Sequence, residues 1–309
     1  MAAKKKKLNT MLGQIESQES FVWDSHVHLW GQPYHAKDDP DLILNDEAAA
    51  REETCRFRDA GGSVLVEFSP YDFGPDWSVL QRISRSTGVH ILAGIGFYRS
   101  EGLDRVLAEH TDAEWVDRMV HVWECGEAKT GAKPSFLKWS TSLNTITEAE
   151  RRSAAIVAEV AKRTGLPVVT HTQRGTMVTE QLELLRKLGV DFSRLMISHI
   201  DMRTDLSAES FKEVLDAGAN VSIDQLGKPK YGVEREKIDI ILELCSRGYA
   251  DKIFLATDIG RKSNFKVLGG SPGLEHIPAV VIPMLRKAGA SEELIHKLTN
   301  ENPTNFYGI

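Results

Sequence analysis

Short apolar, β-branched runs alternate along the chain with longer stretches in which apolar residues recur at helical spacing. Eight runs have this character: residues 22–28, 63–67, 91–96, 136–139, 168–171, 195–199, 220–224 and 253–258. Strands separated by helical stretches predict βαβ units and a parallel sheet. Such a sheet is covered on both faces, which accounts for runs such as Ile253-Phe254-Leu255-Ala256 that show no polar alternation. One unit shows the grammar most fully. Thr147 and Glu150 form a T-x-x-E capping box that opens a helix. Ile156, Val157, Val160 and Ala161 then share a face, Gly165 ends the helix, and Pro167 blocks its continuation. Phe211, Val214 and Leu215 before Gly218 repeat the pattern. Eight units in about 290 residues give about 36 residues each, a natural size for a (β/α)8 TIM barrel. A doubly wound open sheet is the alternative, but no G-x-G-x-x-G follows the first strand, so a dinucleotide version has no support. The expected architecture is α/β, a single-domain (β/α)8 barrel over residues 11–309, preceded by a frayed basic stretch over residues 1–10.

Composition narrows the class. The 309 residues carry 38 Lys plus Arg against 44 Asp plus Glu, a net charge of −6, and 41% are hydrophobic. These values exclude wholesale disorder and argue against a general nucleic-acid binder. The lysines at 4–7 are followed by no long apolar segment, so they read as a solvated terminus rather than a secretory signal. No apolar run approaches the roughly 18 residues of a membrane span. Cys55, Cys125 and Cys245 are widely spaced and odd in number, which predicts free thiols in a reducing, cytoplasmic setting. The expected partner is a small molecule, with neither nucleic acid nor membrane.

The chemistry of a (β/α)8 barrel lies at the C-terminal ends of its strands. Here the first run ends in His26-Val27-His28, the fourth contains Lys138, the fifth ends at His171, the sixth at His199 and the eighth at Asp258. Residues two apart on a strand share a side, so an H-x-H pair presents two imidazoles to one metal. Four imidazoles buried in a barrel mouth are costly without a partner, and neutral imidazole is the commonest metal ligand. Lys138 is the odd member. Burial and neighbouring positive charge favour its neutral amine, which adds carbon dioxide to become a bidentate carbamate able to bridge two metals.

These residues resemble the phosphotriesterase family of the amidohydrolase superfamily over nearly the whole chain. Leu12-Gly13-Gln14-Ile15 followed by His26-Val27-His28-Leu29 is similar to the family's opening L-G-x-I … H-x-H-L. Phe136-Leu137-Lys138 resembles its carboxylated-lysine strand, and Gly165-Leu166-Pro167-Val168-Val169-Thr170-His171 its G-x-P-x-x-T-H. Ser198-His199-Ile200-Asp201, Ala256-Thr257-Asp258 and Glu301-Asn302-Pro303 match later motifs, while Val27 departs from the family's usual Glu. The resemblance implies a metal-dependent hydrolase. In it His26, His28 and Asp258 hold a more buried metal, His171 and His199 a more exposed one, and carboxylated Lys138 bridges them. A hydroxide shared by the two metals attacks an ester or phosphoryl centre, and Asp258 accepts the proton. Zinc is the expected metal, with manganese and cobalt as alternatives. Dimers are common in the family, although no interface is readable here.

Two features bear on substrate. Gly94-Ile95-Gly96-Phe97-Tyr98 resembles a lactonase pattern in which the tyrosine lies over the metal pair, giving Tyr98 a role at the reacting oxygen. Loops rich in cations follow the last two strands: Lys228, Lys230 and Tyr231 in one, Arg261 and Lys262 in the other. Cations there focus an anionic substrate, and an Arg fork suits phosphate. The second loop resembles the branch of the family that opens phosphorylated sugar lactones. The expectation is therefore a lactonase acting on a phosphorylated sugar lactone. A broad arylesterase or organophosphate triesterase, an N-acyl-homoserine lactonase, a mononuclear deaminase and a non-catalytic metal-binding barrel are the rivals.

Overall fold

An antiparallel hairpin, β1 (Lys7–Thr10) and β2 (Gly13–Glu16), opens the chain. Eight parallel strands follow and pair in chain order: β3 (Trp23–Val27), β4 (Val64–Glu67), β5 (His90–Gly96), β6 (Phe136–Thr141), β7 (Val168–Thr172), β8 (Leu195–Ile197), β9 (Asn220–Ile223) and β10 (Ile253–Leu255). The computed structural model describes residues 5–99 and 102–309, without the side chains of His35 and Lys37. The ring closes at the C-terminal ends of β3 and β10. Val27 bridges Ile259, the His28 amide donates to the Ile259 carbonyl at 2.6 Å, and the Asp258 amide donates to the His26 carbonyl at 2.9 Å. Helices fill the return connections: α1 (Glu47–Asp59), α2 (Trp77–Thr87), α3 (Leu103–Leu107), α4 (Asp112–Cys125), α5 (Glu148–Thr164), α6 (Val178–Lys187), α7 (Glu209–Asp216) and α8 (Glu234–Leu244). Three short helices, α9 (Ile282–Lys287), α10 (Glu292–His296) and α11 (Asn302–Tyr307), end the chain. The (β/α)8 barrel expected from the alternation is the observed fold.

Two apolar shells explain why the strands read as apolar at both parities. Trp23, Val64, Val66, Phe68, Leu92, Phe136, Val169, Met196 and Phe254 fill the barrel interior. The alternate residues, among them Leu65, Ile91, Leu137, Ile197, Val221 and Leu255, pack outward against helix residues such as Ile83, Ile156, Leu182, Val214 and Ile241. Burying one such aliphatic or Phe side chain is worth about 1.5–3 kcal/mol. Glycine makes room inside. A Cβ on Gly94 would stand 2.2 Å from Phe136 Cε2, and one on Gly96, at φ 142°, would stand 2.1 Å from the Lys138 carbonyl oxygen. β5 can therefore approach β6 closely enough for Phe136 and Lys138 to point inward.

Both arms of the Thr147/Glu150 capping box are present at the start of α5, and Gly165 ends it at φ 71°. A second box, Thr111 with Glu114, opens α4. The expected frayed terminus is corrected in part. Residues 7–10 pair in the hairpin because Leu8 is fully buried with Phe306 and Tyr307, closing the N-terminal end of the barrel. The backbones of Lys7 and Ile309 exchange two hydrogen bonds there. Lys4 of the basic run lies outside the described residues. Cys55, Cys125 and Cys245 are free thiols. Among the described residues, no helix is long and apolar enough to cross a membrane.

Candidate metal centre

The barrel interior is mostly apolar below its C-terminal rim, where the inward positions change to His26, Lys138, His171 and their neighbours. His26 stacks on Phe68 with ring centroids 3.8 Å apart, and His28 lies 5.5 Å from His26. The rings of His171 and His199 meet edge to face at 4.4 Å, and His199 lies 5.2 Å from His26. His199 and Asp258 fall just beyond their strands, which end at Ile197 and Leu255, and both hold left-handed backbone, φ 67° and φ 46°. Non-glycine residues in that region cost of order 1–3 kcal/mol and persist where the surroundings over-determine them.

Two groups of metal-donor atoms converge among the described residues, each within 4.8 Å: His26, His28 and Asp258, and His26, His199 and Asp224. Asp258 Oδ1 lies 3.4 Å from His26 Nε2 and 3.8 Å from His28 Nε2. Asp224 was not among the residues singled out in the sequence, although it ends the seventh apolar run as Asp258 ends the eighth. Its Oδ1 lies 2.8 Å from His199 Nδ1, and its Oδ2 is in looser contact with His26 Nδ1 at 3.4 Å. A carboxylate on one imidazole nitrogen fixes the tautomer and presents the other nitrogen to a metal. The Ser69 hydroxyl lies 3.0 Å from His28 Nδ1 and orients that ring, and Glu67 accepts from the Ser69 amide at 2.9 Å. On the other side, Gln173 Oε1 lies 2.8 Å and the Tyr98 hydroxyl 3.4 Å from His171 Nε2.

Electrostatics suit a cation. Burial drives the His26 pKa down to about 4, with Lys138 adding to the effect against Asp258 and Asp224. Burial also holds His28 and His171 well below the usual histidine range, helped by His26 and His199 respectively. Burial opposes the charged form of His199 as well, but the Asp224 and Asp258 carboxylates outweigh it and raise its pKa. Burial works against ionised Asp258, yet Lys228, His26 and His199 hold it far below the ordinary carboxylate value. His26, His28 and His171 are thus held neutral beside ionised Asp258 and Asp224, a donor set that suits a divalent metal, while His199 must give up the proton that Asp224 and Asp258 favour when an ion binds.

Lys138 is 2% exposed. Its Nζ stands 4.5 Å from the Phe68 ring centroid and 3.5 Å from the Thr170 carbonyl oxygen. Burial lowers its pKa to about 7 against the pull of Asp258 and Asp224. An appreciable share is therefore the neutral amine at physiological pH.

The cationic loops are more engaged than their sequence suggests. Lys228 donates to the carbonyl oxygen and, at 3.0 Å, to Oδ2 of Asp258. Arg261 reaches Asp39 at 2.7 Å and Asp41 at 3.4 Å, residues of the loop after β3. Lys230 is exposed, its Nζ 5.5 Å from the Tyr231 ring, and Lys262 is half-buried. Tyr231 is raised above the usual phenol range by burial and by Asp258, while Arg261 and Arg174 pull the other way. Arg174, exposed on the turn after β7, is thus a further cation at this rim that the sequence reading passed over.

Comparison with known proteins agrees with this geometry. The sequence model of the Phosphotriesterase family matches residues 6–307. A phosphotriesterase homology protein of Escherichia coli is 29% identical over 284 residues, covering 92% of this chain and 96% of that one. The N-acetyltaurine hydrolase of Bos taurus is 28% identical over 306 residues, covering 94% and 85%. The crystal structure of a lactonase from Listeria monocytogenes superposes with a TM-score of 0.90 at 28% identity, covering 97% and 98%. A buried donor set at the mouth of an eight-stranded barrel, matched along almost its whole length, places this chain in the phosphotriesterase family, as a metal-dependent hydrolase.

Proposed function

We propose that the chain opens a lactone by hydrolysis, and that the lactone is a sugar derivative with a terminal phosphate. The observation that carries the reading is the Tyr98 hydroxyl, 3.4 Å from His171 Nε2 and edge-on to its ring, where a phenol can donate to an oxygen of the reacting ester. His26, His28 and Asp258 would hold one divalent ion, His171 and His199 a second, and a carbamate on Lys138 would bridge them. Zinc is the favoured metal, with manganese or cobalt as substitutes. Such ions supply Lewis acidity to the ester carbonyl and bring the pKa of a water toward neutrality.

The remaining steps belong to the chain. Asp258, kept ionised by its neighbours, accepts a proton from the attacking water on its carboxylate and releases it to solvent. Tyr98 orients the ring. Water adds to the carbonyl carbon, the ring C–O bond breaks, and the ring oxygen takes up a proton from solvent as it leaves as a hydroxyl, giving a hydroxy acid. Lys230, Tyr231, Lys262 and Arg261 form a rim suited to an anionic end group. Among the described residues Arg261 meets Asp39 and Asp41 through Nη1, and the other donors of its fork suit a phosphate. The same rim suits a sulfonate, and relatives named N-acetyltaurine hydrolase favour an N-acyl amide with an anionic tail as the second reading. Free thiols fit a cytoplasmic setting.

Steady-state rates of the zinc-loaded protein decide between these. The panel comprises sugar lactones with and without a 5-phosphate, N-acetyltaurine, an aryl ester and a phosphotriester. The phosphorylated lactone should show the highest kcat/KM. Turnover of another class with inert lactones would remove the reading.

A further inference from the structure

Two donors from the segment after β9 meet on one oxygen of Asp258. Gln225 Nε2 donates to Oδ2 at 2.9 Å, and Lys228 Nζ donates to the same atom at 3.0 Å. Lys228 also donates to the backbone carbonyl of Asp258, whose amide is bound to the His26 carbonyl at 2.9 Å. Every polar backbone group of this left-handed residue is thus engaged. Lys228 supplies two of the restraints, from a side chain only 13% exposed. The donors are themselves held. The Gln225 backbone amide donates to Asp201 Oδ2 at 2.8 Å, and its backbone carbonyl accepts from Nζ of the buried Lys237 at 2.5 Å. What remains of the carboxylate is Oδ1, which faces His26 Nε2 and His28 Nε2.

We propose that Lys228 and Gln225 are positioning residues for Asp258: they fix its backbone and its Oδ2 so that Oδ1 is the oxygen offered beside His26 and His28. The inference rests on the metal-dependent reading of the site. It also changes the role given to Lys228 by the sequence, from a substrate contact to a support. An ammonium with two of its three protons committed to Asp258 has little left for a phosphate.

Lys228→Met and Gln225→Leu in the full chain test this. Zinc retention is read first, by chelator titration of the zinc-loaded proteins, and should weaken by about 10–100-fold in both variants. Removing the ammonium takes a positive charge away from beside a bound cation and would by itself tighten retention. A loss in Lys228→Met therefore reports positioning rather than charge. Gln225→Leu changes no charge but also removes a donor 3.0 Å from Asp224 Oδ1, so Lys228→Gln, which leaves that contact intact, keeps the test decisive if Lys228→Met fails to fold. In turnover, kcat should fall by about tenfold or more, with KM unchanged for lactones with and without phosphate. Unchanged or tighter zinc retention in both variants overturns the proposal. So does a KM rise in Lys228→Met confined to the phosphorylated lactone. The retention arm uses zinc alone, so it stands even if no lactone proves to be a substrate.

Discussion

Oδ1 of Asp224 lies 2.8 Å from Nδ1 of His199, and both side chains are buried. Burial alone would raise the Asp224 pKa, but His199 and His26 hold it well below the usual carboxylate range. The carboxylate holds Nδ1 of the imidazole and leaves Nε2 as the nitrogen available to a metal. Asp224→Asn keeps the shape and loses the charge. It should weaken zinc retention by about 10–100-fold, read by chelator competition. Wild-type retention in this variant would assign Asp224 to packing alone.

Lys138 carries a pH dependence in a stated direction. With a folded pKa near 7, its amine is mostly charged below that pH and mostly neutral above it. Only the neutral amine adds carbon dioxide. Recovery of activity by metal-free protein given zinc should therefore be accelerated by bicarbonate, and should slow as pH falls from 8 to 6. Lys138→Met should show no bicarbonate dependence. A recovery in the wild-type protein that is indifferent to bicarbonate would count against the carbamate.

Asp72 offers a stability test near the same rim. It is buried in the turn after β4 and accepts the Tyr98 amide at 2.8 Å. Burial raises its pKa from 3.8 to about 7, against that hydrogen bond. The folded protein then keeps a proton that the unfolded chain releases, so this contribution is full below about pH 4 and is lost as pH rises through 7. Asp72→Asn retains the acceptor and cannot ionise. Its stability relative to wild type should rise between pH 4 and pH 8 by an amount on the order of a few kcal/mol. Urea unfolding at several pH values measures it, and a constant difference across that range would contradict the assignment.

Arg261 separates substrate binding from loop anchoring. Arg261→Ala should raise KM for a phosphorylated lactone about tenfold or more, the scale of one lost charge-assisted hydrogen bond, with little effect on the unphosphorylated analogue. Equal losses on both substrates, together with a lower Tm, would confine Arg261 to tying the β10 loop to Asp39 and Asp41.

Strand positions were legible because a parallel sheet buried on both faces leaves continuous apolar runs. The predicted run at 168–171 and strand β7 differ by a single residue. Runs ending at 199 and 258 overshot because polarity alone does not mark where a chain leaves β geometry, and His199 and Asp258 sit in left-handed backbone past the strand ends. Asp224 was within reach, since it ends an apolar run at the same rim as Asp258 does, but a lone carboxylate at a strand end carries a weaker metal signal than an imidazole. The bonds from Gln225 and Lys228 to Asp258, and from Arg261 to Asp39, were beyond reach. They join residues far apart in sequence whose approach depends on how the loops fold over the rim. The hairpin at residues 7–10 was hidden for a similar reason: a lysine run masks Leu8, whose burial depends on Phe306 and Tyr307 at the opposite end of the chain.

The joint between β3 and β10 has a consequence for synthesis. His26 and His28 leave the ribosome more than two hundred residues ahead of Thr257, which bonds Asp24 at 2.5 Å, and of Asp258. A nascent chain halted before that point exposes the two histidines without their acidic partner and leaves the cylinder open along one side. Products terminated before Asp258 therefore lack the acidic member of the His26/His28 donor group and should retain zinc poorly.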